Sequence, residues 1–241
     1  MSDATRGPVG QLTLRLTLPG GAAPALGYCL IGVIELEAVD GPAEANARLN
    51  LVEGDLWIDV EGPAGRARIG WPWPVDSGAR RVTLAPGERL VAAVPLFATD
   101  TSAPALPVPG RYRLIAQYHS GPSGVLTGAP VAVTCAPGDA AASRALGHRD
   151  VLQSLLSAGT LGAASDGLAV LSRSDDDATR ALAFLALGQA VETSEGAVRA
   201  LAAVLPPHAS PDDPRRAAAL AAADDPQLRA MLTGEVIDAR G

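Results

Sequence analysis

A chain of 241 residues can hold one large domain or two small ones, and a composition that is 48% apolar but only 3% aromatic requires a core of Leu, Val, Ile and Ala. The formal net charge of −7 is spread along the chain with no basic tract, which excludes the electrostatic footprint of a nucleic-acid or anionic-membrane binder. All 19 basic residues are arginine, so a phosphate-loop lysine, a Schiff base to pyridoxal phosphate, a kinase ATP lysine and a Ser-Lys dyad are excluded together.

The opening "MSDATRGPVGQLTLRLTLPGG" has no apolar run behind a basic region, and no stretch is apolar over a membrane-spanning length. The expected state is soluble and cytoplasmic, with export after removal of a signal peptide as the alternative. Within it, "QLTLRLTL" puts Leu12, Leu14, Leu16 and Leu18 on one face of an extended chain and Thr13, Arg15 and Thr17 on the other, as in a half-buried strand. Next come "GYCLIGVIELEAV", "ARLNL", "GDLWIDVEG", "RRVTLAPGERLVAAVPLF", "GRYRLIAQYH" and "GAPVAVTC", with Gly and Pro between nearly every pair. About seven short strands over residues 8–136 predict an antiparallel β-sandwich with Greek-key connections.

In "VPGRYRLIAQYH" a Pro-Gly turn precedes Tyr112, after which Leu114, Ala116 and Tyr118 alternate with Arg113, Ile115 and Gln117. This resembles the penultimate strand of immunoglobulin-like and fibronectin-type sandwiches, and "RVTLAPGERLVAAVPL" is similar to the middle of bacterial immunoglobulin-like modules. The resemblance implies an immunoglobulin-like architecture for residues 8–136, with Tyr112 as a corner residue whose hydroxyl bonds back to nearby backbone. Leu114 stands where an immunoglobulin domain carries its second core cysteine, so that disulfide is absent. Cys29 and Cys135 are expected to be reduced, buried thiols in preference to a bridge between them.

After Pro137-Gly138 the period changes. Asp139 can cap "AAASRAL", and "HRDVLQSLLSAG" places Val151, Leu152, Leu155 and Leu156 on one stripe before Gly159. "SDDDATRALAFLALGQAV" begins with Ser174 as N-cap, "SEGAVRALAAVL" runs to Pro206-Pro207, and "SPDDPRRAAALAAA" starts with Ser210 and Pro211, followed by "DPQLRAML". The order Leu187-Gly188, Ala197, Leu201 and a closing proline resembles one worn tetratricopeptide-type repeat. The predicted fold is therefore two-part, all-β then all-α: a sandwich over 8–136 and, over 139–241, either an array of two to three helical hairpins or an irregular bundle.

Candidate chemistry is thin. "GPAGRARIG" and "HSGPSGVLTGAP" lack dinucleotide spacing and sit between strands, so they read as turns. His119, His148 and His208 are isolated, no C-x-x-C is present, and His119 beside Ser120 and Ser123 lacks a nucleophile elbow and reads as a wet turn. Asp175, Asp176 and Asp177, like Asp212, Asp213, Asp224 and Asp225, suit helix N-termini better than a calcium loop. No catalytic residue, metal or cofactor is expected.

In "RIGWPWPVD", Pro72 and Pro74 bar Trp71 and Trp73 from a regular central strand, placing them on an edge or loop. Two indoles held there form a platform for a sugar ring, a proline-rich peptide or a protein partner, unless they fold inward to supply scarce core volume, the simpler of the two placements. The resulting expectation is a non-enzymatic protein-binding or scaffold protein with Trp71 and Trp73 as first candidates for anchors; a small-molecule or glycan ligand has no support of its own. The alternative is an inhibitor or accessory subunit of an enzyme, because bacterial cytoplasmic proteinase inhibitors resemble such sandwiches and "ATDTSAPALPVPG" offers a loop.

Overall fold

The computed structural model describes residues 11–19, 23–53, 55–73, 80–120, 124–208 and 212–238, without the side chains of residues 206–208. Expectations resting on Pro74, Ser123, Ser210 and Pro211 lie outside the described residues.

Among the described residues ten strands precede the first helix: β1 (Leu12–Thr17), β2 (Ile31–Ala38), β3 (Ala43–Asn46), β4 (Leu56–Gly62), β5 (Gly65–Ile69), β6 (Arg81–Leu84), β7 (Glu88–Pro95), β8 (Gly110–His119), β9 (Val125–Thr127) and β10 (Val131–Cys135). Turn chemistry sets several joints. Between β6 and β7 the Glu88 amide donates to Ala85 O at 2.9 Å across Pro86-Gly87, and Gly87 takes a φ of +83°, a conformation that glycine adopts without strain. The expected strand "ARLNL" is instead bent, because Asn side chains compete with the ladder: Asn46 Oδ1 accepts from the Arg48 amide and Asn50 Oδ1 from the Val52 amide.

Every strand pairing is antiparallel. One sheet has the order β1-β2-β7-β11, the last being Val236–Asp238 near the end of the described chain, a second has β10-β8-β4-β5 with β9 also on β8, and β3 pairs β6 in a third of two strands. The two large sheets share a core in which Leu14, Ile34 and Leu36 meet Ile58, Leu114 and Tyr118.

Among the described residues seven helices follow: α1 (Ala140–Leu146), α2 (Arg149–Ser157), α3 (Ser165–Leu171), α4 (Asp177–Ala186), α5 (Glu195–His208), α6 (Pro214–Ala222) and α7 (Pro226–Thr233). Asp139 caps α1, its Oδ1 accepting from the Ala141 and Ala142 amides at 2.8 and 2.7 Å. Asp176, not the expected Ser174, caps α4. Asp213 caps α6 with Pro214 at its first turn and Asp225 caps α7 with Pro226 there, in keeping with the place expected for these acids at helix N-termini. Helix α2 ends on Ala158 in the left-handed region, one residue before Gly159.

The expectation of an all-β part followed by an all-α part is corrected by three findings. After α7 the chain turns at Gly234 and returns as β11 (Val236–Asp238), which pairs with β7 in the first sheet. The helices share one continuous core with the sheet, in which Ile31, Val33, Val91 and Ala93 lie with Leu152, Leu155, Leu182 and Leu201. The strands also form three sheets, so the β portion is not a simple seven-stranded sandwich. The physical reason is that β2 and β7 are apolar on both faces: Ile34 and Leu36 point into the sandwich while Ile31 and Val33 point away, and such a face must be covered. The result is three layers, sheet on sheet with helices on the outer side of the β1-β2-β7-β11 sheet.

The passage from strand to helix, between Cys135 and Ala140, is tightly held. The Leu26 amide donates to Ala136 O at 3.0 Å and the Ala136 amide to Pro24 O at 2.8 Å. A Cβ on Gly138 would lie 2.0 Å from Leu26 O, so only glycine permits this crossing.

Candidate functional site

Trp71 and Trp73 follow β5 on the segment leading toward β6, where Pro72 removes the backbone donor needed to prolong the strand. Their rings meet edge to face, with centroids 4.6 Å apart and planes at 72°, a geometry favoured by the ring quadrupoles. Both are half-buried and pack against the core shared by the helices and the first sheet. The pair is thus turned partly inward, at the seam between layers instead of at an end of the sandwich. Beside Trp71 lies a small recess lined by Leu51, Val52, Ala93, Pro95, Leu156 and Val204, with room for one water molecule at most.

Tyr112, near the start of β8, donates its hydroxyl hydrogen to Val108 O at 2.7 Å. Burial raises its phenol pKa, against the lowering effect of the Val108 amide, which donates to the phenol oxygen at 3.3 Å. Cys29 and Cys135 are both free and buried. Burial pushes both thiols upward, away from the reactive thiolate form. The Cys29 amide donates to Thr179 Oγ1 at 2.7 Å, and the Thr179 hydroxyl donates to Asp176 at 2.6 Å, so this cysteine marks a joint between the sheet and α4.

The acidic runs are engaged at helix starts. Asp175 accepts from the Tyr28 hydroxyl, which pushes the Tyr28 pKa up to about 12. Asp177, held by the Ser194 hydroxyl and by Arg180, lies below the usual carboxylate range, and the Arg215 guanidinium draws Asp213 down to about 2. His119 ends β8 on the surface, and the Ser120 hydroxyl donates to Gly124 O at 3.2 Å within its turn. His148 precedes α2 without a side-chain capping bond. Among the described residues no group of three or more His, Cys, Asp or Glu is placed to hold a metal ion.

Three arrangements escaped the sequence reading. Asn46, almost fully buried, fills all four positions of its amide: Nδ2 donates to Glu53 and Asp55, and Oδ1 accepts from the Arg48 and Arg80 amides at 3.1 Å. Its own amide donates to the buried Tyr118 hydroxyl at 2.8 Å. Glu35, on the helix side of β2, receives Arg89 at 3.2 Å and Gln227 of α7 at 3.2 Å, tying that helix to the sheet. Trp57 on β4 carries Arg68 over its ring at 5.2 Å. Strand alternation places Trp57 on the outer face, and this was the available signal; Arg80 and Tyr118 reach Asn46, and Arg89 and Gln227 reach Glu35, from distant chain segments and leave no local trace.

Among the described residues no helix is long and apolar enough to cross a membrane. No protein-family model matches the chain, and no curated protein matches it significantly.

Proposed function

We propose that the chain is a non-enzymatic protein-binding or scaffold protein, with Trp71 and Trp73 as the anchor of one contact. The observation that carries this reading is the edge-to-face indole pair held half-buried at the seam between sheet and helices. Rigid aromatics with one side packed and the other near solvent lose little side-chain entropy on docking and supply large contact area. The adjoining recess is far too small for a small-molecule ligand, whose sites usually reach several hundred Å³, so a contact here would be one of surface packing. A cytoplasmic location fits the same reading, since two buried, unpaired thiols need no oxidising compartment.

No observation favours the inhibitor alternative. The segment after β7 folds back on the molecule: the Thr99 amide donates to Ala103 O at 2.8 Å, the Asp100 amide to Arg68 O at 3.0 Å and the Ala105 amide to Phe97 O at 3.0 Å.

The test is quantitative capture from source lysate by the tagged full chain, by Trp71→Ala/Trp73→Ala and by Trp71→Phe/Trp73→Phe. A specific protein should be retained by wild type and the Phe pair and lost from the Ala pair. If the Ala pair melts as a folded protein and captures the same set undiminished, these indoles are not the anchor.

A further inference from the structure

The outer face of the β10-β8-β4-β5 sheet, opposite the helical layer, has an arrangement that a merely solvated sheet does not require. The register sets Arg66 of β5 beside Glu61 of β4, and Glu61 beside Arg113 of β8. It likewise sets Arg68 beside Asp59, and Asp59 beside Ile115. Glu61 is held between Arg66 at 3.0 Å and Arg113 at 3.6 Å, and Asp59 between Arg68 at 3.4 Å and the Gln117 amide. Arg111 extends the row on β8, beside Thr134.

Among the described residues, four arginines therefore stand on this face against Asp59, Glu61 and, at its edge beside Arg68, the exposed Asp100, in a chain whose net charge is −7. They remain available: the side chains of Arg66, Arg68 and Arg113 are 84%, 53% and 54% exposed. Beneath Arg68, Trp57 is half-buried, and its buried indole Nε1 has no hydrogen-bond partner among the described residues.

From the charge of this face we infer that it is a second docking surface, whose occupant is an acidic protein segment. Tryptophan and arginine, which meet here, are among the residues enriched in interface hot spots. Arg66, Arg68 and Arg113 are already oriented by Asp59 and Glu61, so little side-chain freedom is lost when a partner carboxylate arrives, and a planar guanidinium can grip that carboxylate with two donors. A nucleic acid or sulfated glycan fits less well, because its continuous line of anions would pass over Asp59 and Glu61. A protein segment can interleave its carboxylates with donors at the sheet's own spacing. The inference deepens the protein-binding reading by giving a partner a charge, yet it stands on a different face from Trp71 and Trp73.

The test uses the full chain and a fluorescein-labelled 14-residue peptide of alternating Glu and Thr, followed by anisotropy at 50 and 300 mM NaCl. Binding is expected at low salt, at least tenfold weaker at high salt, lost in Arg66→Glu/Arg113→Glu and unchanged in Trp71→Ala/Trp73→Ala. Arg66→Gln/Arg113→Gln, which removes charge without reversing it, should weaken binding to an intermediate degree and serves if the Glu pair melts low. Absence of salt-sensitive binding overturns the inference, as does undiminished binding by the reversed pair. Tighter binding of a heparin oligosaccharide than of the peptide overturns it in favour of a polyanion. Sedimentation showing a dimer that the reversed pair dissolves overturns it in favour of a second copy of this chain. Loss of peptide binding only in the tryptophan pair would instead return the site to the seam.

Discussion

Gly62 and Tyr112 show how one missing side chain makes room for another. A Cβ at Gly62 would sit 2.1 Å from Cδ1 of the Tyr112 ring, far inside contact distance, and that ring must stay in place for its hydroxyl to reach Val108 O. Gly62→Ala should therefore cost about 1–3 kcal/mol, the usual range for overpacking, whereas Tyr112→Phe should cost only about 0.5–1.5 kcal/mol for one hydrogen bond. Urea unfolding of both variants checks the order, and a Gly62→Ala penalty no larger than that of Tyr112→Phe would show that the ring can yield. Asn46 is the polar counterpart. Its partners include the carboxylates of Glu53 and Asp55, and a buried carboxylate deprived of its donor is expensive, so this node fixes one conformation of the bend that follows β3.

Among the elements, α6 offers a pH test. Asp213 caps it and is bound by Arg215 through its side chain and its amide. Its folded pKa, about 2, is depressed from the ordinary aspartate value near ~3.9. The folded state therefore gains stability from the charged form above roughly pH 4 and loses it as pH falls toward about 2. Asp213→Asn, which still caps, should lose less melting temperature than wild type between pH 4.5 and 2; equal losses would show that this pair contributes nothing to acid sensitivity. Much at this scale was legible in the sequence. The alternation in "QLTLRLTL" gives buried Leu12, Leu14 and Leu16 in β1, "GRYRLIAQYH" coincides with β8, and "AAASRAL" with α1 behind its aspartate. Helix α3 and strand β11 were not legible. Strand β11 has three residues and no period of its own, and only the edge of β7 makes it a strand. The indoles were correctly placed off the regular ladder, but their lean toward the helices depends on tertiary packing that no local pattern encodes.

For the whole molecule, the decisive signal lay in "IGVIELEA" and "ERLVAAVP", whose apolar residues occupy both faces of β2 and β7. An antiparallel strand with one wet face would alternate, so these two announced a third layer. Because that layer is helical and β11 then rejoins the sheet, the described parts should unfold together. Calorimetry should show one transition, and limited proteolysis should leave one resistant core without a cut at Pro137-Gly138, where Gly138 is pressed against Leu26. Two transitions, or two stable fragments parted at that point, would contradict this cohesion.

The doubly used middle sheet also constrains how the protein is made. Strands β2 and β7 are both made once Pro95 is added, and α5 is complete only at His208, roughly 100 residues later and about 5–20 s at ordinary elongation rates. Throughout it, Ile31, Val33, Val91 and Ala93 form a bare greasy sheet on a half-finished nascent chain. A holdase chaperone gripping that surface until α5 emerges is the natural remedy, and the yield of folded protein should track the speed of translation.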